Sequence, residues 1–169
     1  NLTATGALTV DAGDISGVTT YTSESSTAAI TINYATAVSD LTIKSNTGNA
    51  AATLHTFNVT DTAIVGTRDA MTITLDNIDA DTVVTLTDAG GTTNELETVT
   101  LNSIGLANTL ATLNTSSVET TILKVTGNKS LTVTNAIDAN INVIDASAHT
   151  GAATSITGTD TATIYFGGS

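Results

Sequence analysis

The sequence predicts an all-β protein, with a parallel β-solenoid (β-helix) over at least its C-terminal half. Three observations carry that expectation. Threonine fills nearly a quarter of the 169 residues and alternates with aliphatic residues in segment after segment. Such period-two alternation marks strands with one apolar and one polar face. Hydrophobic residues make up 40% of the chain, yet aromatics only 3% and Trp is absent, so the core is narrow and aliphatic. A solenoid interior, where each inward position meets a like residue in the next coil, suits such side chains. A sandwich usually needs a few large rings between its sheets. Proline is also absent, which leaves ladder donors intact.

In the N-terminal segment, residues 1–96, the alternation predicts strands at Leu8–Val10, Val18–Ser23, Ala29–Tyr34, Leu41–Lys44, Leu54–Val59, Met71–Asp76 and Thr82–Thr87. Their connections vary in length and no period joins them. This half is either a looser continuation of the solenoid or a small sandwich. Residues 97–169 show a blurred repeat. Glu97–Leu101, Glu119–Leu123 and Asp138–Val143 recur, with a second strand phase at Leu110–Leu113, Leu131–Val133 and Ser155–Thr157 between them. Two short strands per turn of roughly twenty residues is solenoid arithmetic. Turn signals fall between strands at Gly127-Asn128-Lys129, Asn135-Ala136 and Gly151-Ala152. One stretch, Ile104–Leu113, carries a helical stripe, weakened by its Thr and Asn.

Sixteen acidic residues face four basic ones, Lys44, Arg68, Lys124 and Lys129, for a formal charge of −12. That balance excludes nucleic acid and anionic membrane as partners, because both need a basic surface. No run approaches the roughly 18 apolar residues needed for a spanning helix. With no cysteine there are no disulfides, thiolate metal sites or cysteine catalysis. The start, Asn1-Leu2-Thr3, has neither an initiator Met nor a signal segment and reads as part of a longer chain.

Two segments offer ligands for calcium, which takes six to eight hard oxygens. Asp76-Asn77-Ile78-Asp79-Ala80-Asp81 packs three carboxylates and an amide between two strands. Asp88-Ala89-Gly90-Gly91-Thr92-Thr93-Asn94-Glu95 resembles a calcium-binding glycine nonapeptide, with Glu95 standing for its Asp and its third Gly missing. Asp, Asn and Gly are also ordinary turn formers. Metal-ligand candidates are therefore Asp76, Asn77, Asp79, Asp81, Asp88 and Glu95. Catalysis finds little support, so the chain reads as no enzyme. His55 and His149 are the only histidines. Alternation places His55 on an outward face. Asp145, Ser147 and His149 stand too close in sequence for triad geometry. Without Trp, a carbohydrate-stacking cleft for a glycosidase lacks its platform. Repeated Thr-x-Thr also invites an ice-binding reading, but the Thr pairs keep no single period.

The stretch Val118-Glu119-Thr120…Val125-Thr126-Gly127-Asn128-Lys129-Ser130-Leu131-Thr132-Val133…Val143-Ile144-Asp145-Ala146-Ser147-Ala148 resembles the coils of Gram-negative surface-layer (S-layer) proteins exported by type I secretion. The end, Thr161–Ser169, resembles the lead-in to an RTX glycine-rich array, cut at Gly167-Gly168. RTX adhesins share these motifs. The resemblance implies a secreted, calcium-dependent structural subunit that self-assembles into a two-dimensional lattice at the cell surface, held on outer-membrane polysaccharide through regions outside this chain. The alternative it leaves is an adhesin stalk or ligand-binding module.

Overall fold

The computed structural model describes residues 1–45, 53–90, 94–158 and 163–166. Fourteen strands, β1 to β14, run in chain order: Leu8–Asp11, Thr20–Glu24, Ile30–Ala35, Asp40–Lys44, Thr53–Val59, Ala70–Asp76, Thr82–Asp88, Thr98–Ile104, Asn108–Asn114, Ile122–Gly127, Leu131–Val133, Val143–His149, Thr154–Ile156 and Thr163–Phe166. Two short 3-10 turns, Asp61–Ala63 and Ser116–Val118, are the helical elements among the described residues.

The odd strands form one seven-stranded sheet, in order β1-β3-β5-β7-β9-β11-β13. The even strands form the other, from β2 to β14. Every strand pair is parallel. The chain thus winds as a β-solenoid of about six turns. A small N-terminal sandwich is ruled out, because the same two sheets run unbroken through residues 96–97. The strand candidates of the first half all form where alternation put them. No single period joins them because the coils are unequal. Thr20 stands beside Asp40, twenty residues on, whereas Leu41 stands beside Ile73, thirty-two residues on. Added length goes into loops, and loop length costs little in closure entropy.

Two expectations for the second half need correction. The helical stripe at Ile104–Leu113 is instead the end of β8, a corner at Gly105, and β9. The β-branched Thr109 and Thr112 favour a pleated surface over a helix, and β9 finds partners on both sides. The repeat phase also shifts. Thr98 aligns with Ile122 and Ile122 with Val143, so Glu119 and Asp138–Asn142 belong to corners. Apolar Val118, Ile137 and Ile141 are buried from those corners, which is why the segments read as strands.

The interior is a set of aliphatic columns. Tyr21, Leu41, Ile73, Leu101 and Val125 stack through the even sheet. Leu8, Ile30, His55, Val84 and Leu113 stack through the odd one. Ile43, Ile73, Leu75, Val99, Leu101, Leu110 and Leu123 are fully shielded from water. Tyr21 and Phe57 meet across the interior with ring centroids 6.0 Å apart and planes tilted 58°.

The corner after each even strand is built the same way in four successive coils. Glu24, Lys44, Asp76 and Ile104 are in register, and the next residue in each case turns left-handed: Ser25 (φ 54°), Ser45 (φ 54°), Asn77 (φ 60°) and Gly105 (φ 71°). The ladder continues through the turn, with Ser25 N donating to Lys44 O and Ser45 N to Asp76 O, each 2.9 Å. Gly127 (φ 96°) serves the next corner from a position beside Ser103.

Candidate functional site

The turn Asp76–Asp81 is shaped by this corner. Asp76 ends β6, and its carboxylate lies against Gly105, where an added Cβ would stand 1.9 Å from Asp76 Oδ1. Asn77 supplies the left-handed residue. Ile78 turns inward, and its N–H donates to Asn108 Oδ1 at 2.9 Å. Asp79 O accepts from Thr82 N at 3.2 Å, and Asp81 is exposed. The three acids of the turn form no joint metal-holding group among the described residues. Asp88 ends β7 in register with Val59, and the next N–H, Ala89, donates to Val59 O at 2.8 Å. Glu95 is half-buried in the approach to β8. Gly91, Thr92 and Thr93 lie outside the described residues, as do Gly167, Gly168 and most of the glycine lead-in. Among the described residues, no three His, Cys, Asp or Glu side chains gather closely enough to hold a metal ion.

His55 turns inward, not outward. Leu54-His55-Thr56-Phe57 carries apolar residues on both parities, and burial of Phe57 and Val59 decides the matter. His55 is 1% exposed, and its Nε2 lies 2.9 Å from Ser23 Oγ. Ser23 Oγ donates to Ser26 Oγ at 3.0 Å, which accepts from Ala4 N at 3.1 Å. This set is sealed in the core, so it has no route to a substrate. His149 points its Nδ1 to Thr126 O at 3.1 Å, while Asp145 Oδ1 accepts from Ser147 N at 2.9 Å. The imidazole thereby faces the neighbouring coil and no triad forms with Ser147.

Sequence reasoning missed three polar features. Asn108, 1% exposed, closes a corner: its Nδ2 reaches Leu75 O, Ile104 O, Leu106 O and Ser103 Oγ within 2.8–3.0 Å. Asp138 Oδ2 accepts from both the N–H and the hydroxyl of buried Thr115. Asp69 N donates to Glu97 Oε2 at 2.7 Å. Burial, then the charge of Glu97, pushes the Asp69 carboxyl above its ordinary range. All three join different coils, and the unequal coil lengths hide such pairings from the sequence.

Two concavities carry little chemistry. One of about 120 Å³ lies beside β2, lined by Ala12, Ile15, Val18, Tyr21, Ala35 and Ser39 among others. Tyr21 is its one titratable lining group, and burial raises that phenol's pKa. The other is a shallow depression of about 330 Å³ over Ile122, Lys124, Val143, Asp145 and Ser147 on the outer face of the even sheet.

What recurs around the molecule is a display of threonine. Thr9, Thr31, Thr56 and Thr85 stand in one register column on the odd sheet, ending at Asn114. Thr22, Thr42, Thr74, Asn102 and Thr126 form a column on the even sheet. Asn102 Nδ2 donates to Thr74 Oγ1 at 3.3 Å, and Thr126 Oγ1 donates to Asn102 Oδ1 at 3.4 Å. The columns therefore keep the strand repeat even though the coils do not keep a sequence period.

No protein-family model, no curated protein and no solved structure matches this chain.

Proposed function

We propose that this chain is a structural segment of a bacterial surface-layer coat, secreted and working by self-association at the cell surface rather than by catalysis. One observation carries the reading: the buried polar groups are used to tie coil to coil, while the surface repeats threonine columns along a stiff parallel solenoid. Such a body is suited to being a building unit. The resemblance of residues 118–148 to surface-layer coils supplies the class, and outer-membrane polysaccharide is the anchoring partner through regions outside this chain.

Calcium enters this proposal as a neutraliser. At −12, two copies repel one another, and divalent cations between acidic loops reduce that repulsion. Asp76, Asp79 and Asp81, which form no ligand group of three among the described residues, fit bridging between neighbours better than a closed site within one molecule.

Negative-stain microscopy of the protein with and without millimolar calcium tests the reading. Ordered two-dimensional sheets that dissolve in chelator are expected. Isolated rods under both conditions would overturn it and move the role to an adhesin stalk.

A further inference from the structure

Charge is distributed very unequally between the two outer sheet faces. The even sheet carries six charged side chains on its outward positions: Glu24, Asp40, Lys44, Asp76, Lys124 and Asp145. The odd sheet carries one, Asp11, at its β1 edge. Asp88, the last residue of β7, belongs by position to the inward series Thr82, Val84 and Leu86. From β3 to β13, then, a protein with sixteen acidic residues presents a face without a formal charge. That face displays the Thr31–Thr56–Thr85 column beside Leu54 and Val83, with Tyr34 half exposed at its margin.

Resting on the assembly reading, we infer that the odd-sheet outer face is the self-contact surface, and that its occupant is the same face of a second copy. Two molecules of charge −12 repel wherever acids meet acids, so the face-to-face approach of two uncharged sheets is the orientation of least repulsion. The Thr methyls and aliphatic side chains provide apolar contact, and the hydroxyls provide hydrogen bonds without a charge to desolvate. A contact of one patch with its own copy is isologous and two-fold.

Size argues in the same direction. Six strands about 4.8 Å apart and about five residues long cover roughly 480 Å². Two such faces bury roughly 950 Å² together, below the range of stable pairs. The contact is too small for a permanent dimer and suits a lattice that sums several weak contacts. A crystalline surface such as ice would need an uninterrupted two-dimensional repeat. Here the register shifts between Ile32 and Ala35 and again between Thr82 and Val83, which breaks that repeat.

Sedimentation velocity over a concentration series, in calcium, tests the inference on the native chain, on Thr56→Glu/Thr85→Glu, and on Thr42→Glu/Thr74→Glu of the even face. Circular dichroism and urea midpoints establish that the variants fold. Native association weakened at least tenfold by the odd-face pair, and unchanged by the even-face pair, is the expected result. The reverse pattern would overturn the odd-face contact while leaving assembly standing. A native chain that stays monomeric would sink both. Ice-recrystallisation inhibition by a monomeric native chain, lost in the odd-face pair, would assign the face to ordered water instead. The chain has no cysteine, so single Thr56→Cys and Thr42→Cys variants give a second readout that spares the surface charge. Disulfide-linked dimers should form under mild oxidation with Thr56→Cys and not with Thr42→Cys, and equal yields would overturn the inference.

Discussion

The imidazole of His55 and the hydroxyl of Ser23 meet across the interior of the solenoid, Nε2 to Oγ 2.9 Å, and so join the two sheets by a polar contact within a largely aliphatic core. His55 occupies a place in its column between Ile30 and Val84, where a neighbour-like residue would be Ile or Val. A buried polar group is tolerated there because it is hydrogen-bonded.

Truncation to His55→Ala should therefore cost about 2–4 kcal/mol, from a cavity and from hydroxyls left short of a partner. Replacing both groups, Ser23→Ala with His55→Leu, should recover most of that loss, since removing a pair together is far less costly than stranding one member. Urea midpoints for the two singles and the double give the coupling. Strict additivity would show that the contact contributes nothing.

The corners make a prediction about glycine. At Gly127, φ is 96° and an added Cβ would sit 2.1 Å from Ser103 O, a backbone atom that also accepts from Asn128 N at 3.0 Å. Neither partner can step aside without breaking the ladder. Gly127→Ala should lose about 2–4 kcal/mol. Gly6 has nothing within 4 Å of its built Cβ, so Gly6→Ala should be close to neutral. Thermal unfolding of the pair checks the contrast, and equal losses would refute the corner argument.

Ser25 predicts the opposite sign. It is exposed, holds φ at 54°, and occupies the corner position that Gly105 fills in a later coil. An L side chain in that region costs roughly 1–2 kcal/mol, while glycine adopts it readily but loses more entropy on folding. Ser25→Gly should stabilise the protein by up to about 1 kcal/mol, read as a higher urea midpoint with an unchanged slope.

These corners also explain how much could be read from the sequence. Alternation located the strands, including all seven of the first half, because most inward positions are aliphatic and most outward positions polar. It could not locate the coils, since paired strands lie at unequal spacing, twenty residues from Thr20 to Asp40 but thirty-two from Leu41 to Ile73. His55 was misdirected because Leu54 and Phe57 are apolar on opposite parities, and only the columns above and below decide which one is inside. Asn77 was legible as a turn former and is one. The convergence of Asn108 on the ends of β6 and β8 was not legible, because it depends on register between coils of unequal length. The threonine columns escaped for the same reason: Thr31, Thr56 and Thr85 are neighbours in space at irregular spacing in sequence.

Acid behaviour separates two carboxylates with opposite signs. Burial, then Glu97, raises the Asp69 pKa from its usual 3.8. Its contribution to stability is thus fully present below the unfolded value and is lost as pH rises through the folded one. Hydrogen bonds from the Ser147 side chain and backbone, then the charge of Lys124, lower the Asp145 pKa. Its contribution is present above the unfolded value and is lost as pH falls through the folded one. Asp69→Asn should accordingly stabilise the protein at neutral pH, by about 0.5 kcal/mol given partial exposure, and converge with the native chain below about pH 3. Asp145→Asn should destabilise at neutral pH by a similar small amount and also converge in acid. Urea midpoints across pH read both slopes. If the two variants moved in the same direction at neutral pH, the assignment of Asp69 as a carboxylate held against its charge would be wrong.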